Sequence, residues 1–67
     1  MKTSEIKKLM KQRGLTQGVV AYRMKLSQPA INQKINGKRG LRLDEAYRFA
    51  QILQIGKNEF LDLFFLN

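Results

Sequence analysis

Apolar residues recur along this chain at helical spacing, and nowhere do they alternate as in a strand. Ile6, Leu9 and Met10 stand at i, i+3 and i+4, with Lys7, Lys8 and Lys11 on other faces. That spacing predicts a first amphipathic helix, capped by Thr3 or Ser4, running to about Arg13 and ended by Gly14. Residues 15–39 read as one unit, with helices at about 16–24 and 28–36 separated by a tight break. Thr16 and Ser27 suit N-caps, because their hydroxyls can accept the unpaired N–H groups of a first turn. Pro29 falls in the first turn of the later helix, where a missing N–H costs little, and Asn36-Gly37 closes it. Val20, Met24, Ile31 and Ile35 are expected to point inward, leaving Gln28, Asn32 and Gln33 outward. A basic loop over 37–42 follows. A fourth helix fits 43–54, with Leu43, Ala46, Tyr47, Ala50 and Leu53 inward, and with Asp44 and Glu45 at the positive end of its dipole. A fifth fits 57–65, entered through Gly56. The expectation is an all-α fold of five short helices, one domain over residues 1–67, with its two-helix motif at about 16–37.

At 67 residues the chain has room for one core, burying about 60% of its unfolded surface. The absence of cysteine and histidine removes disulfides, thiolate and imidazole metal ligands, and histidine acid–base chemistry. No nucleophile–base pair suggests itself, so neither enzymatic activity nor a cofactor is expected. No apolar run approaches the roughly 20 residues that span a bilayer, and the charged N-terminus lacks the apolar stretch of a signal peptide. Cytoplasmic residence is the expectation. The net charge is +8, and its distribution says more than its size. Residues 1–43 hold 11 of the 13 Lys and Arg but only one acid, Glu5, whereas residues 44–67 hold the other four acids against Arg48 and Lys57. Lysines that served only solubility would leave the signs mixed throughout; a basic front and a mildly acidic back fit a polyanionic partner.

Gly14-Leu15-Thr16-Gln17, Ala21, Ile31 and Asn36-Gly37-Lys38-Arg39 together resemble the lambda-repressor/Cro type of helix-turn-helix, the XRE-like family of small phage and bacterial regulators. The similarity runs from about Ile6 to Leu61. It implies a lambda-repressor-like domain with the helix-turn-helix at helices 2 and 3, double-stranded DNA as partner, and a bacterial, nucleoid-associated location. It also implies the docking geometry known for lambda repressor and Cro, in which the recognition helix enters the major groove. Gln28 and Gln33 match the family's reading positions best, with Asn32 close behind, since amides can bond adenine bidentately. Pro29 offers an apolar contact to a thymine methyl. Gln17 and Ser27 at helix starts, and Asn36, Lys38, Arg39 and Arg42 after the recognition helix, are the candidate phosphate contacts.

Four departures from the family pattern stand out. Lys25 occupies the turn position where glycine is usual, so the turn is expected to be reshaped or strained, with Lys25 in reach of a phosphate. Gly18 lies within a helix; it either permits a close approach or is simply tolerated, and tolerance is the favoured reading. Met10 and Ile35 replace an Arg–Glu pair common in relatives, so packing is expected where an ion pair would stand. Lys34, where many relatives are apolar, is expected to snorkel from the core edge or, less favoured, to touch a phosphate. Arg13, Arg23 and Lys7 are expected to be solvated or in surface pairs.

The tail is apolar on more than one face. Phe60, Leu61 and Phe64 can fill the core, which leaves Leu63, Phe65 and Leu66 as a candidate protein interface or as a cap on the core. The leading expectation is a Cro-like phage repressor of a lysis–lysogeny switch, acting by operator occlusion, with a homodimer placing two recognition helices about 34 Å apart. With no second domain in these residues, it would act through its concentration or a partner. The alternative is a protein-binding modulator (an anti-repressor or co-repressor pairing with another repressor) or an antitoxin.

Overall fold

The computed structural model describes residues 1–66. Five helices follow in order: α1 (Thr3–Gln12), α2 (Gln17–Met24), α3 (Gln28–Ile35), α4 (Leu43–Leu53) and α5 (Lys57–Phe65), with no strand among the described residues. They pack within 27 × 23 × 20 Å. α2 lies against α3 and α4, α1 bridges α3 and α5, and α4 packs on α5.

The inward stripes converge on one core of Ile6, Met10, Val20, Met24, Ile31, Ile35, Phe49, Leu53, Leu63 and Phe64 with small Ala21 and Ala46. Phe49 is fully enclosed and meets Phe64 edge-on at 5.7 Å, a geometry aromatic rings favour. Met10 and Ile35 both belong to this core, as their apolar character anticipates.

Local chemistry explains where the helices stop. α1, α2, α3 and α4 end alike, each with a residue one or two positions past its last helical residue turned into the left-handed region: Gly14 (φ 68), Lys25 (φ 56), Gly37 (φ 76) and Gln54 (φ 59). In each case its N–H bonds back to the third residue before it, and the following N–H reaches the fifth before: Leu15 to Met10 (2.8 Å), Leu26 to Ala21 (3.0 Å), Lys38 to Gln33 (2.8 Å) and Ile55 to Ala50 (3.3 Å). This double bond pattern satisfies carbonyls that a helix end would leave open. Leu15, Leu26 and Ile55 then fold onto the core, while Lys38 stays exposed.

Some expectations need correction. α1 has no side-chain cap from Thr3 or Ser4: Thr3 is already helical and Lys2 is the N-cap. Lys2 is stitched to α5 instead, its N–H donating to the Leu63 carbonyl (2.8 Å) and its Nζ to Asp62 Oδ1 (2.8 Å). On α4 the inward stripe is Ala46, Phe49, Ala50 and Leu53; Leu43 and Tyr47 are exposed. On α5 Leu63 is buried and Leu61 exposed, the reverse of the expected assignment, so Leu63 drops out of the candidate interface. Phe65 and Leu66 remain exposed, as expected.

Candidate nucleic-acid interface

The two-helix unit presents two exposed N-caps. Thr16 Oγ1 accepts from the Val19 N–H (3.1 Å) and Ser27 Oγ from the Ala30 N–H (3.2 Å), so both helices begin where the sequence suggests. Each hydroxyl uses an acceptor site and keeps its own proton to donate. The turn between them is not reshaped by Lys25. The lysine adopts the left-handed conformation itself, with its side chain exposed.

Gln28, Pro29, Asn32 and Gln33 are all exposed on α3, and Gln28 and Pro29 form its first turn. The first turn of α2 lies behind two of these residues and holds one of them. Gln17 Oε1 accepts from Asn32 Nδ2 at 3.2 Å. Gly18 lies beneath Gln28, where a methyl group would stand 3.3 Å from Gln28 Nε2. Gly18 leaves room for a candidate reading side chain to lie over it, and because that side chain is exposed and flexible the contact agrees with a tolerated glycine. Gln33 holds the following loop: its carbonyl accepts from the N–H groups of both Lys38 (2.8 Å) and Arg39 (3.2 Å).

The candidate phosphate contacts divide into free and occupied groups. Lys38, Arg39 and Arg42 are exposed on the connection between α3 and α4, and Arg42 also pairs loosely with Asp44 (3.3 Å, both exposed). Asn36 is half-buried with both ends of its amide engaged: Nδ2 donates to the Asn32 carbonyl (2.8 Å) and Oδ1 accepts from Lys7 Nζ. Its side chain works as internal bracing, and so does Arg13, whose Nε donates to the Leu53 carbonyl (2.6 Å) at the end of α4.

Lys34 neither snorkels into solvent nor reaches toward a phosphate. It is the one buried charged side chain among the described residues; its Nζ donates to Glu45 Oε1 (2.8 Å) and to the Gly40 carbonyl (3.1 Å). The same Glu45 oxygen accepts from the Arg42 N–H (2.9 Å), the half of a capping box that a glutamate at the third helical position can supply. Arginine has no side-chain acceptor to return the bond. The hydrogen bond from Lys34, and then that from the Arg42 N–H, hold the Glu45 carboxyl below its ordinary 4.5. Sequence reading placed Glu45 only at a helix dipole. The missed signal is its position three residues after the N-cap, obscured because the N-cap is an arginine.

Among the described residues no cluster of acidic, histidine or cysteine side chains could hold a metal, and no helix is long and apolar enough to cross a membrane. No curated protein and no solved structure matches the chain significantly. A family model described as helix-turn-helix matches residues 6–60. With five helices, capped starts at Thr16 and Ser27 and an exposed amide row on α3, the chain belongs to the Cro/C1-type, XRE-like helix-turn-helix family of DNA-binding regulators.

Proposed function

We propose that the protein is a sequence-specific double-stranded-DNA-binding repressor, a Cro-like regulator of phage or prophage origin working in the cytoplasm at the nucleoid. It would occlude an operator from polymerase. The observation that carries this reading is the exposed row Gln28, Asn32 and Gln33 on α3, followed directly by the exposed Lys38, Arg39 and Arg42. The amides present donor and acceptor together, as adenine N6/N7 requires, and the cations flank them where phosphates would fix register. Pro29 completes the reading surface, and Gln17 and Ser27 at the helix starts are further candidate phosphate contacts. Asn36 contributes by bracing, since both ends of its side-chain amide are engaged and its N–H is committed to the Asn32 carbonyl.

A second copy is the favoured partner. Leu43, Tyr47, Phe65 and Leu66 are exposed, and Phe60 touches both Tyr47 (tilted rings, 5.6 Å between centres) and Phe65 (edge-on, 5.4 Å). Exposed aromatics in contact with one another favour an interface. Pairing with a different repressor, the co-repressor or anti-repressor reading, draws on the same aromatic face.

Selection on randomised duplexes at near-physiological salt tests the proposal. The expected product is a palindrome with half-sites one turn apart. Gln28→Ala with Gln33→Ala should then erase the preference, each lost bidentate contact being worth about 1–3 kcal/mol of discrimination, while helix content stays intact. No enrichment by a folded protein would move the search to a protein partner on the aromatic face.

A further inference from the structure

We infer that Lys34 and Glu45 act as positioning residues for DNA binding: they anchor the Gly37–Arg42 connection so that Lys38, Arg39 and Arg42 meet the phosphates together. The inference rests on the DNA-binding reading above and adds a role for two residues that do not themselves touch DNA.

The connection is exposed from residue 37 to 40 and again at 42, and only Leu41 among its side chains packs toward the core. A loop of this kind lacks the apolar contacts that would fix it, and its entropy opposes any simultaneous set of phosphate contacts. Hydrogen bonds fix it instead, from both ends. At its start the Gln33 carbonyl holds the Lys38 and Arg39 N–H groups. At its far end Lys34 Nζ holds the Gly40 carbonyl, and Glu45 holds both Lys34 and the Arg42 N–H. The two side chains of this pair are only 8% and 13% exposed, so water competes weakly for these bonds. Lys34 and Gln33 are adjacent on the recognition helix. The basic loop is therefore referenced directly to the element that reads bases, and register and reading are set by one rigid piece. The apolar Met10 and Ile35 mean that no ion pair joins α1 to α3 at those positions; the buried pair in this chain joins α3 to α4 across the loop.

Electrostatics alone and positioning give opposite signs for one variant. Glu45→Ala makes a basic protein more basic, so simple charge attraction predicts tighter DNA binding. Loss of the anchor predicts weaker binding. The experiment measures affinity against salt for wild type, Glu45→Ala and Lys34→Met, on a short duplex of mixed sequence and on the duplex enriched by selection. The expected result is that both variants bind more weakly. Their log–log salt slopes should become shallower by about 1 to 2, the equivalent of one or two phosphate contacts at roughly 0.9 each. A slope unchanged in both variants, or tighter binding by Glu45→Ala, overturns the positioning role while leaving DNA binding standing. Wild type with no salt-dependent affinity for either duplex takes down the DNA reading and this inference with it. Should either variant fail to fold, nitrogen NMR of the wild-type lysine ammonium groups decides. Lys34 should exchange slowly with water and keep its resonance when the duplex is added; a Lys34 signal that moves onto a phosphate overturns the proposal.

Discussion

The connections that leave α2 and α3 begin identically and end very differently. Both helices stop on a left-handed residue, Lys25 or Gly37, with the same pair of reversed hydrogen bonds. After Lys25 comes Leu26, which packs on the core, and α3 starts at once behind its Ser27 cap. After Gly37 comes Lys38, which is exposed, and the chain wanders until α4 begins at Leu43. One residue past the stop thus decides whether the chain is recaptured by apolar burial or released as a loop. The released loop carries the cations a DNA-binding protein needs, and it must be held by polar bonds because cations cannot be held by a core. The tight turn fixes the angle between α2 and α3; the anchored loop fixes where the charge sits relative to α3.

Breaking the apolar side of this comparison should have the largest effect. Leu26→Ala removes the contact that recaptures the chain after α2. A fully buried leucine would cost about 2–5 kcal/mol; Leu26 is partly buried, so about 1–3 kcal/mol is expected from urea denaturation. The loss should not vary with salt. A cost near zero would mean the hydrogen bonds of the turn alone hold it.

The polar side should respond to acid instead. Glu45 is held below its ordinary 4.5 by Lys34 and then by the Arg42 N–H, so its contribution is fully present above about pH 4.5 and is lost as pH falls through the lowered value. Wild type should therefore lose more stability than Glu45→Gln between about pH 5 and 3. The protection of the Arg42 amide against exchange, relative to its intrinsic rate, should fall in the same window, while that of Leu26, whose N–H is held by the Ala21 carbonyl, persists. Parallel curves for the two proteins would show that the loop is held without the carboxylate.

The contrast also explains what could be read from the chain in advance. Thr16, Ser27, Pro29 and Gly37 act within a few residues of themselves, so their roles are visible in the local order of side chains. The stripe on α4 is not, because two overlapping stripes share Ala46, Ala50 and Leu53 and differ in whether Leu43 and Tyr47 or Phe49 joins them. What favours Phe49 is Phe64, which comes from α5. Leu63 and Leu61 pose the same difficulty on α5, settled by the packing of α1 and α4. The Lys34–Glu45 pair spans 11 positions and includes a backbone carbonyl at Gly40, so no periodicity points to it. The family match supports the helix-turn-helix as a whole, whereas the roles given to individual reading and phosphate residues rest on exposure and on chemistry.

The smallest effect sharpens the comparison most. Lys25 and Gly37 perform the same backbone task at φ 56 and φ 76, and only one of them is a glycine. A side chain in the left-handed region costs about 1–2 kcal/mol, and glycine returns about 0.5–1 kcal/mol of that through the greater freedom of the unfolded chain. Lys25→Gly should therefore stabilise the protein by less than about 1 kcal/mol, read as a small rise in the urea midpoint at unchanged slope. The lysine is exposed, and Gln54 adopts the same conformation at the end of α4, so strain alone assigns Lys25 no role; a phosphate beside the turn would give it one. In that case the more stable Lys25→Gly variant should bind DNA with a salt slope shallower by about 0.9, one phosphate's worth. A variant that gains stability and keeps the full slope would remove Lys25 from the interface and leave the basic loop after α3 as the main source of phosphate contacts.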